Sequence, residues 1–377
     1  MRPAAPVALA LLVGVLFVGA PGLAQEPGVP RAWPPPPPVT AESYLLVDAA
    51  TGQVLAEYGA DLRRPVASTI KILTALTALR RAAPDELVTV GAEIDGIGGA
   101  GVGLRVGDRL TVAQLLEAVI ARSGNDAAVA LATHVGGSVD GFLALMRTEA
   151  AALGLDEPRI VTPSGLNDDN LLTARDLATI TRAAMADPAF RAVAGAPTVT
   201  LPRVGTLASR NELLGTLPGA TGVKTGFTSA AGYSVVGSAM REGRELIAVV
   251  LATPTSGARF QDAVALLEHG FNAFEPAAVD LDVRLRVAGG WVPTEAVVPP
   301  VLVPRTGPAV RVEIRVPIEP GGSGTVEVTW NGSPLTAATL VTPIESRGAA
   351  QPEDGAAVGR WLWDRAYAAL RAGTADR

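Results

Sequence analysis

Residues 68–81 read Ser68-Thr69-Ile70-Lys71-Ile72-Leu73-Thr74-Ala75-Leu76-Thr77-Ala78-Leu79-Arg80-Arg81. The run is apolar on most faces, so the helix it predicts is a buried one. Its basic end, with Pro84 just beyond, marks the C-terminus. Two groups interrupt the apolar pattern in the first turn. Ser68 and Lys71 are three residues apart, which sets a hydroxyl and an amine on one helix face within contact range. A serine hydroxyl is a poor nucleophile until a base takes its proton. A buried lysine serves as that base once burial and a neighbouring cation depress its pKa.

Composition removes most competing chemistries. Among 377 residues there is no cysteine, and the only histidines are His134 and His269. Thiol catalysis, disulfides, thiolate zinc and iron–sulfur sites are excluded, as is a multi-histidine metal centre, so no cofactor is expected. The histidines are read as surface or packing residues. A net charge of −6 argues against nucleic acid as a partner. The chain is 48% hydrophobic and 18% charged, enough to build a sizeable core, and its length allows about two to three domains.

Working outward from residues 68–81, the sequence predicts short strands at Ser43–Val47 and Gln53–Glu57 around the turn Ala50-Thr51-Gly52. Helices are predicted over Ala113–Ala121, Asp126–Val135, Asp140–Leu153 and Ala174–Met185, the last with Thr173 as its N-cap. Three strands follow close together, Gly222–Thr228, Tyr233–Met240 and Glu245–Ala252, and then a long helix, Arg259–Phe274. Strands, then helices, then strands predict an α+β fold whose chain ends meet in one sheet with helices on its faces.

The ends of the chain read differently. Residues 1–24 have a positive start, a short apolar run from Val7 to Ala20 and small residues before Gln25, the pattern of a secretory signal peptide. The run is too short and too broken by Pro21-Gly22 to span a bilayer. The expected location is therefore outside the cytoplasm, in a periplasm or on the outer face of the cytoplasmic membrane. Residues 25–40 contain Pro34–Pro38 and read as a proline-rich spacer. Residues 41–275 form the main body. Beyond Pro276, the stretches Val279–Val287, Val310–Val316 and Val326–Trp330 alternate apolar and polar residues with period two, and Asn331-Gly332 supplies a hairpin turn. Residues 276–345 are thus expected to be a small all-β C-terminal domain, followed by a linker and a helix within 346–377. That helix, Val358–Leu370, carries Trp361, Trp363, Arg360 and Arg365 beside an apolar stripe. It reads either as a peripheral membrane contact or as a helix docked on the body.

Two further motifs stand on other elements: Ser123-Gly124-Asn125 in a loop before a helix, and Lys224-Thr225-Gly226 on a strand. Each alone is a weak signal. In order with Ser68-x-x-Lys71, the trio resembles that of penicillin-binding proteins and class A β-lactamases. The chain is similar, more specifically, to the serine D-alanyl-D-alanine carboxypeptidases, the low-molecular-mass penicillin-binding proteins. The stretches that carry the likeness are Ser123-Gly124-Asn125-Asp126-Ala127-Ala128, Ser164-Gly165-Leu166, Thr173-Ala174-Arg175-Asp176-Leu177-Ala178 and Gly222–Thr228 followed by Ala231-Gly232-Tyr233. The family often has Asn-Pro-His before Gly-Leu; here the residues are Thr162-Pro163-Ser164, a departure at which the resemblance implies no role for those side chains and which leaves the core trio untouched.

The resemblance implies the β-lactamase/penicillin-binding-protein-like fold, an antiparallel sheet covered by helices on both faces. It implies a peptidoglycan stem peptide ending in D-Ala-D-Ala as substrate and β-lactam antibiotics as acylating inhibitors. Ser68 would be the nucleophile, Lys71 the base, Ser123 a proton relay between Lys71 and Lys224, and Asn125 a partner for the substrate backbone. The backbone N–H groups of Ser68 and Phe227 would form the oxyanion hole, while Lys224, Thr225, Gly226 and Arg259 would line the site for the substrate carboxylate. A D,D-endopeptidase uses the same trio. A class A β-lactamase would add a glutamate in an E-x-x-L-N pattern between Ser123 and Lys224, and that pattern is absent.

Overall fold

The computed structural model describes residues 33–277 and six C-terminal strand segments, 282–287, 290–295, 301–304, 313–315, 324–330 and 333–340. Trp33–Phe274 form one compact unit, and the C-terminal strands belong to another. The predicted signal peptide and the C-terminal helix lie outside the described residues, whereas Pro34–Pro38 run without regular secondary structure.

The main unit is built on β1 (Ser43–Asp48) and β2 (Val54–Tyr58) from the start of the chain. Small ladders follow, formed by β3 (Arg64–Pro65), β4 (Leu87–Thr89), β5 (Arg109–Thr111), β6 (Leu171–Leu172), β7 (Thr198–Leu201) and β8 (Gly205–Ala208). The long strands β9 (Ala220–Thr228), β10 (Gly232–Arg241) and β11 (Arg244–Thr253) come last. The principal sheet has the order β2-β1-β11-β10-β9 and is antiparallel at every pairing. Ser43 faces Leu251 and Val47 faces Ile247, so the chain ends of this unit do meet in its centre.

Both faces of this sheet are covered. Leu45, Val47, Val223, Val236, Ile247 and Val249 join the core that also holds Ile72, Leu73 and Leu76 of the buried helix. On the opposite face, Leu46 and Leu246 pack where Gly270 lets the last helix approach closely. Burial on both sides explains why β11 reads Leu246-Ile247-Ala248-Val249-Val250-Leu251 as a continuous apolar run rather than an alternating one.

The helices are α1 (Lys71–Leu79), α2 (Val112–Ile120), α3 (Asn125–Gly136), α4 (Val139–Ala152), α5 (Ala174–Met185), α6 (Pro188–Ala194), α7 (Leu213–Thr216) and α8 (Ser256–Ala273). Capping chemistry sets several starts. Thr173 and Asp176 form a capping box on α5, Ser138 caps α4 and Thr255 caps α8, which therefore begins ahead of Arg259. The first turn of the expected 68–81 helix is a 3-10 turn, Ala67–Ile70, and α geometry begins only at Lys71. Among the described residues, no single helix is long and apolar enough to cross a membrane.

β12 (Phe274–Ala277) begins at the last residue of the main unit; in the C-terminal unit, β13 (Asp282–Val287) and β14 (Gly290–Glu295) pair antiparallel. After β15 (Val301–Pro304), the strands β16 (Glu313–Arg315), β17 (Gly324–Trp330) and β18 (Ser333–Leu340) form a three-stranded antiparallel sheet. Trp330 pairs with Ser333, and the predicted Asn331-Gly332 turn lies outside the described residues.

Candidate active site

Three elements converge beside the sheet edge. The 3-10 turn carries Ser68, the junction of α2 and α3 carries Ser123 and Asn125, and the edge strand β9 carries Lys224, Thr225, Gly226 and Phe227. Glycine makes two of the close approaches possible. A Cβ on Gly226 would sit 3.1 Å from both the Val66 carbonyl oxygen and the Thr69 methyl. A Cβ on Gly165, whose φ is +74°, would sit 2.0 Å from the Ala67 carbonyl oxygen. These glycines allow β9 and the 164–166 segment to close on the Ser68 turn from two sides.

Ser68 is half-buried at the floor of a cleft of about 520 Å³. Lys71 is fully buried, and its Nζ donates to Ser68 Oγ at 3.0 Å, to Asn125 Oδ1 at 2.7 Å and to the Ser164 carbonyl oxygen. Burial first, then the nearby Arg210 guanidinium, lower the Lys71 pKa to about 7, against an opposing pull from Asp126. The amine thus shares a proton with its surroundings near neutrality, and its lone pair becomes available on the side of the Ser68 hydroxyl.

Lys224 is also buried, and its Nζ turns back to the Thr225 carbonyl oxygen at 2.9 Å. Its pKa lies well below the ordinary lysine value because of burial, then the charges of Lys71, Arg210 and Arg259. Arg259 donates to the Gly226 carbonyl oxygen at 3.2 Å and to Ser256 Oγ at 3.1 Å, and it lies over the Tyr233 ring. Its buried Nε has no hydrogen-bond partner among the described residues. Phe227, 50% exposed, stacks on Tyr233 with ring centroids 4.2 Å apart at the cleft wall.

Every residue singled out from the sequence falls in or against this cleft, but the expected hydrogen-bonding differs at Ser123. Its hydroxyl makes no hydrogen bond to Lys71 or Lys224 among the described residues, although Ser123 lines the cleft in a left-handed conformation, φ +63°. The reason lies in donor count. Lys71 directs its N–H groups to Ser68, Asn125 and Ser164, and Lys224 points to its own strand. Sequence reasoning also missed three contributors. Ser164 acts through its backbone carbonyl, so the departure at Thr162-Pro163-Ser164 leaves this contact intact. Arg210 and Glu212 line the cleft from the loop before α7. Neither belongs to a periodic pattern or a spaced motif, so no sequence signal marked them.

Neither histidine lines the cleft. His134 meets Glu86 at 2.8 Å, and His269 stands edge-on to Phe274, where burial lowers its pKa. Among the described residues, no cluster of His, Cys, Asp and Glu has the makings of a metal site.

A family model described as D-alanyl-D-alanine carboxypeptidase, peptidase S11, matches residues 31–255. D-alanyl-D-alanine carboxypeptidase DacB2 of Mycobacterium tuberculosis is 38% identical over 258 residues, 65% of this chain and 86% of that protein. DacC of Escherichia coli, of the same description, is 36% identical over 253 residues, and the match spans 63% of its length, just under two thirds. Among solved structures, the D-alanyl-D-alanine carboxypeptidase from Mycobacterium tuberculosis H37Rv superposes with a TM-score of 0.61 at 35% identity, over 64% of this chain and 95% of that one. The Streptomyces K15 DD-transpeptidase superposes with a TM-score of 0.60 at 34% identity, over 63% of this chain and 99% of that one.

Proposed function

The chain belongs to the D-alanyl-D-alanine carboxypeptidase family of serine peptidases, and on that premise we propose that it removes the terminal D-alanine from peptidoglycan stem peptides through an acyl-enzyme on Ser68. The observation that carries this reading is the buried Lys71 amine, 3.0 Å from Ser68 Oγ and with its pKa lowered to about 7. Neutral Lys71 takes the Ser68 proton as Oγ attacks the penultimate D-alanine carbonyl. The oxyanion is met by the N–H groups of Ser68 and Phe227, each such donor worth roughly 3 kcal/mol of barrier. Collapse of the tetrahedral intermediate breaks the peptide bond. The leaving nitrogen takes a proton by way of the Ser123 hydroxyl in the cleft lining. Water then attacks the acyl ester, releasing the shortened stem and restoring Ser68.

The cleft also supplies what a substrate ending in a carboxylate needs. Thr225 and the Arg259 guanidinium, with its unpaired Nε, lie beside the β9 edge. Burial and the neighbouring cations hold the Lys224 pKa well below the ordinary lysine value, and an arriving carboxylate favours its charged form. Asn125 holds the substrate backbone opposite β9. Export by the 1–24 segment, a 25–40 spacer, a 41–275 catalytic domain and a 276–345 β-rich domain fit an enzyme acting on the wall. The 346–377 segment would supply any peripheral membrane contact.

A second reading follows from Glu212, a carboxylate in the cleft wall: a β-lactamase that activates the deacylating water there. One experiment separates the readings. The mature protein is incubated with benzylpenicillin, its intact mass is followed over time, and the adduct is mapped by digestion. A lasting adduct on Ser68, with D-alanine released from a D-Ala-D-Ala peptide, is expected. Rapid drug hydrolysis without a lasting adduct would favour the β-lactamase. No adduct and no hydrolysis would remove the enzyme assignment.

A further inference from the structure

The segment Gly96-Ile97-Gly98-Gly99-Ala100-Gly101-Val102-Gly103-Leu104 forms a wall of the catalytic cleft through Gly99 and Ala100. With five glycines in nine residues, it has little intrinsic preference for one shape. Val102 and Leu104 anchor one end in the core, whereas residues 96–101 offer only the Ile97 and Ala100 side chains, so the conformation of that glycine-rich part must be imposed by a neighbour.

That neighbour is the first turn of α3. The Asn125 N–H donates to the Ala100 carbonyl oxygen at 2.7 Å, and Asn125 Nδ2 donates to the Gly98 carbonyl oxygen at 2.8 Å. The adjacent Asp126 is buried, and its carboxylate accepts three consecutive strap amides: Val102 N–H at 3.0 Å, Gly103 N–H at 2.9 Å and Leu104 N–H at 3.1 Å. It also accepts from Ala127 N–H at 2.9 Å. A Cβ on Gly101 would sit 3.1 Å from Asp126 Oδ2, so the strap folds directly over the carboxylate. No cation meets Asp126 among the described residues; its hydrogen-bond partners are these backbone donors.

We propose that Asp126 is a positioning residue: its carboxylate gathers the amides of residues 102–104, which fixes the glycine strap against the cleft and locks the Asn125 side chain between Gly98 and Lys71. Asn125 Oδ1 receives the Lys71 proton donor while its Nδ2 is held by the strap. A strap that loosens therefore also loosens the group that orients Lys71. For Lys71 the same carboxylate opposes the pull of Arg210, the cation in the loop before α7; the buried Lys224 amine lies near Lys71 from β9.

This inference rests on the acylation chemistry proposed above, and its test distinguishes the two. Benzylpenicillin acylation rates are measured from pH 5 to 9 for the wild type and Asp126→Asn, with thermal melting and amide hydrogen exchange on both. The carboxamide keeps one acceptor oxygen and turns an N–H group toward the strap donors. The expected result is a plateau rate lower by about tenfold or more, the scale set by one unsatisfied buried donor. The acid limb of the profile should move to lower pH, since a negative charge near Lys71 is gone, and exchange should quicken within residues 96–104. A role confined to holding the fold would lower the melting temperature without moving the acid limb.

The inference is overturned by a plateau within about threefold of wild type, or by a loss with an unmoved acid limb. It is also overturned, without any variant, if the amides of residues 102–104 exchange in the folded wild type as fast as in a free chain. A wild type that forms no adduct on Ser68 would instead refute the proposed function.

Discussion

Replacing Arg210 by glutamine tests whether the cation field of the cleft sets the working pH. A lysine of ordinary pKa 10.5 has about one molecule in three thousand neutral at pH 7, whereas Lys71, at about 7, has about half. Most of that gain comes from burial, which Arg210→Gln leaves in place. The guanidinium is the next cause. A charge at about 8–12 Å in a medium of effective dielectric about 20–40 is worth about 0.7–2 kcal/mol, or about half to one and a half pH units. The sign is fixed: without Arg210 the protonated amine is less disfavoured, so the Lys71 pKa rises. The acid limb of acylation should move up by that amount, leaving the rate at pH 6 lower by about three- to thirtyfold. Arg210→Lys keeps the charge and should keep the limb. Stopped-flow or mass-resolved acylation by benzylpenicillin between pH 5 and 9 reads this directly. An Arg210→Gln profile whose limb stays in place, with only its plateau lowered, would refute the electrostatic argument and leave Arg210 as a binding group alone.

Other consequences follow from the same geometry. Lys224→Ala should lower acylation by about a hundredfold or more while changing folding stability by about 1 kcal/mol or less, because deleting a lone buried amine also removes its desolvation cost. Parallel loss of melting temperature and activity would count against that. Gly165→Ala places a methyl group 2.0 Å from the Ala67 carbonyl oxygen at a φ of +74°. It should cost about 2–4 kcal/mol in denaturant unfolding and displace the Ser164 carbonyl from Lys71; a variant with wild-type midpoint and acylation rate would show that the turn has room to move. Stability should also rise with pH above 7. Lys71 has a folded pKa of about 7 against 10.5 in the unfolded chain, so between those values the unfolded state binds more protons. Each such lysine adds up to about 1.4 kcal/mol per pH unit. Urea midpoints that stay flat from pH 7 to 9, or that Lys71→Met leaves equally steep, would contradict this.

Much of the site is legible in the sequence because its parts are short, spaced motifs on elements with strong periodic signals. The run Ile72–Leu79 declares a buried helix, and strands on both sides of a block of helices declare a sheet with helices on its faces. Boundaries were less legible where capping or backbone strain decides them. Thr255 extends α8 forward, and the left-handed Ala67, φ +46°, precedes the tight turn on which Ser68 sits. Asp187-Pro188 opens α6, a helix not among those predicted from the sequence. Backbone contributions were not legible at all. The Ser164 carbonyl reaches Lys71 whatever side chain residue 164 carries, and pattern reading sees only side chains.

The same limit explains why the trio reads as complete when it is not. Ser68, Lys71, Ser123, Asn125 and Lys224 identify the chemistry, yet none of them explains why two buried lysines are tolerated together. Burial is the largest cause of both lowered pKa values; Arg210 adds to it for both lysines and Arg259 for Lys224, while Asp126 opposes it for Lys71. Together, burial and these charges lower the Lys71 pKa to about 7 and hold that of Lys224 well below the ordinary lysine value. A substrate carboxylate changes that balance by adding negative charge beside β9. Binding would then draw a proton toward Lys224, the side where the carboxylate sits. A charged Lys224 in turn disfavours a proton on Lys71, the group that must be neutral to accept one from Ser68. On this reasoning the substrate's own terminus helps to arm the base, and a ligand without a carboxylate should acylate slowly even where it fits the cleft.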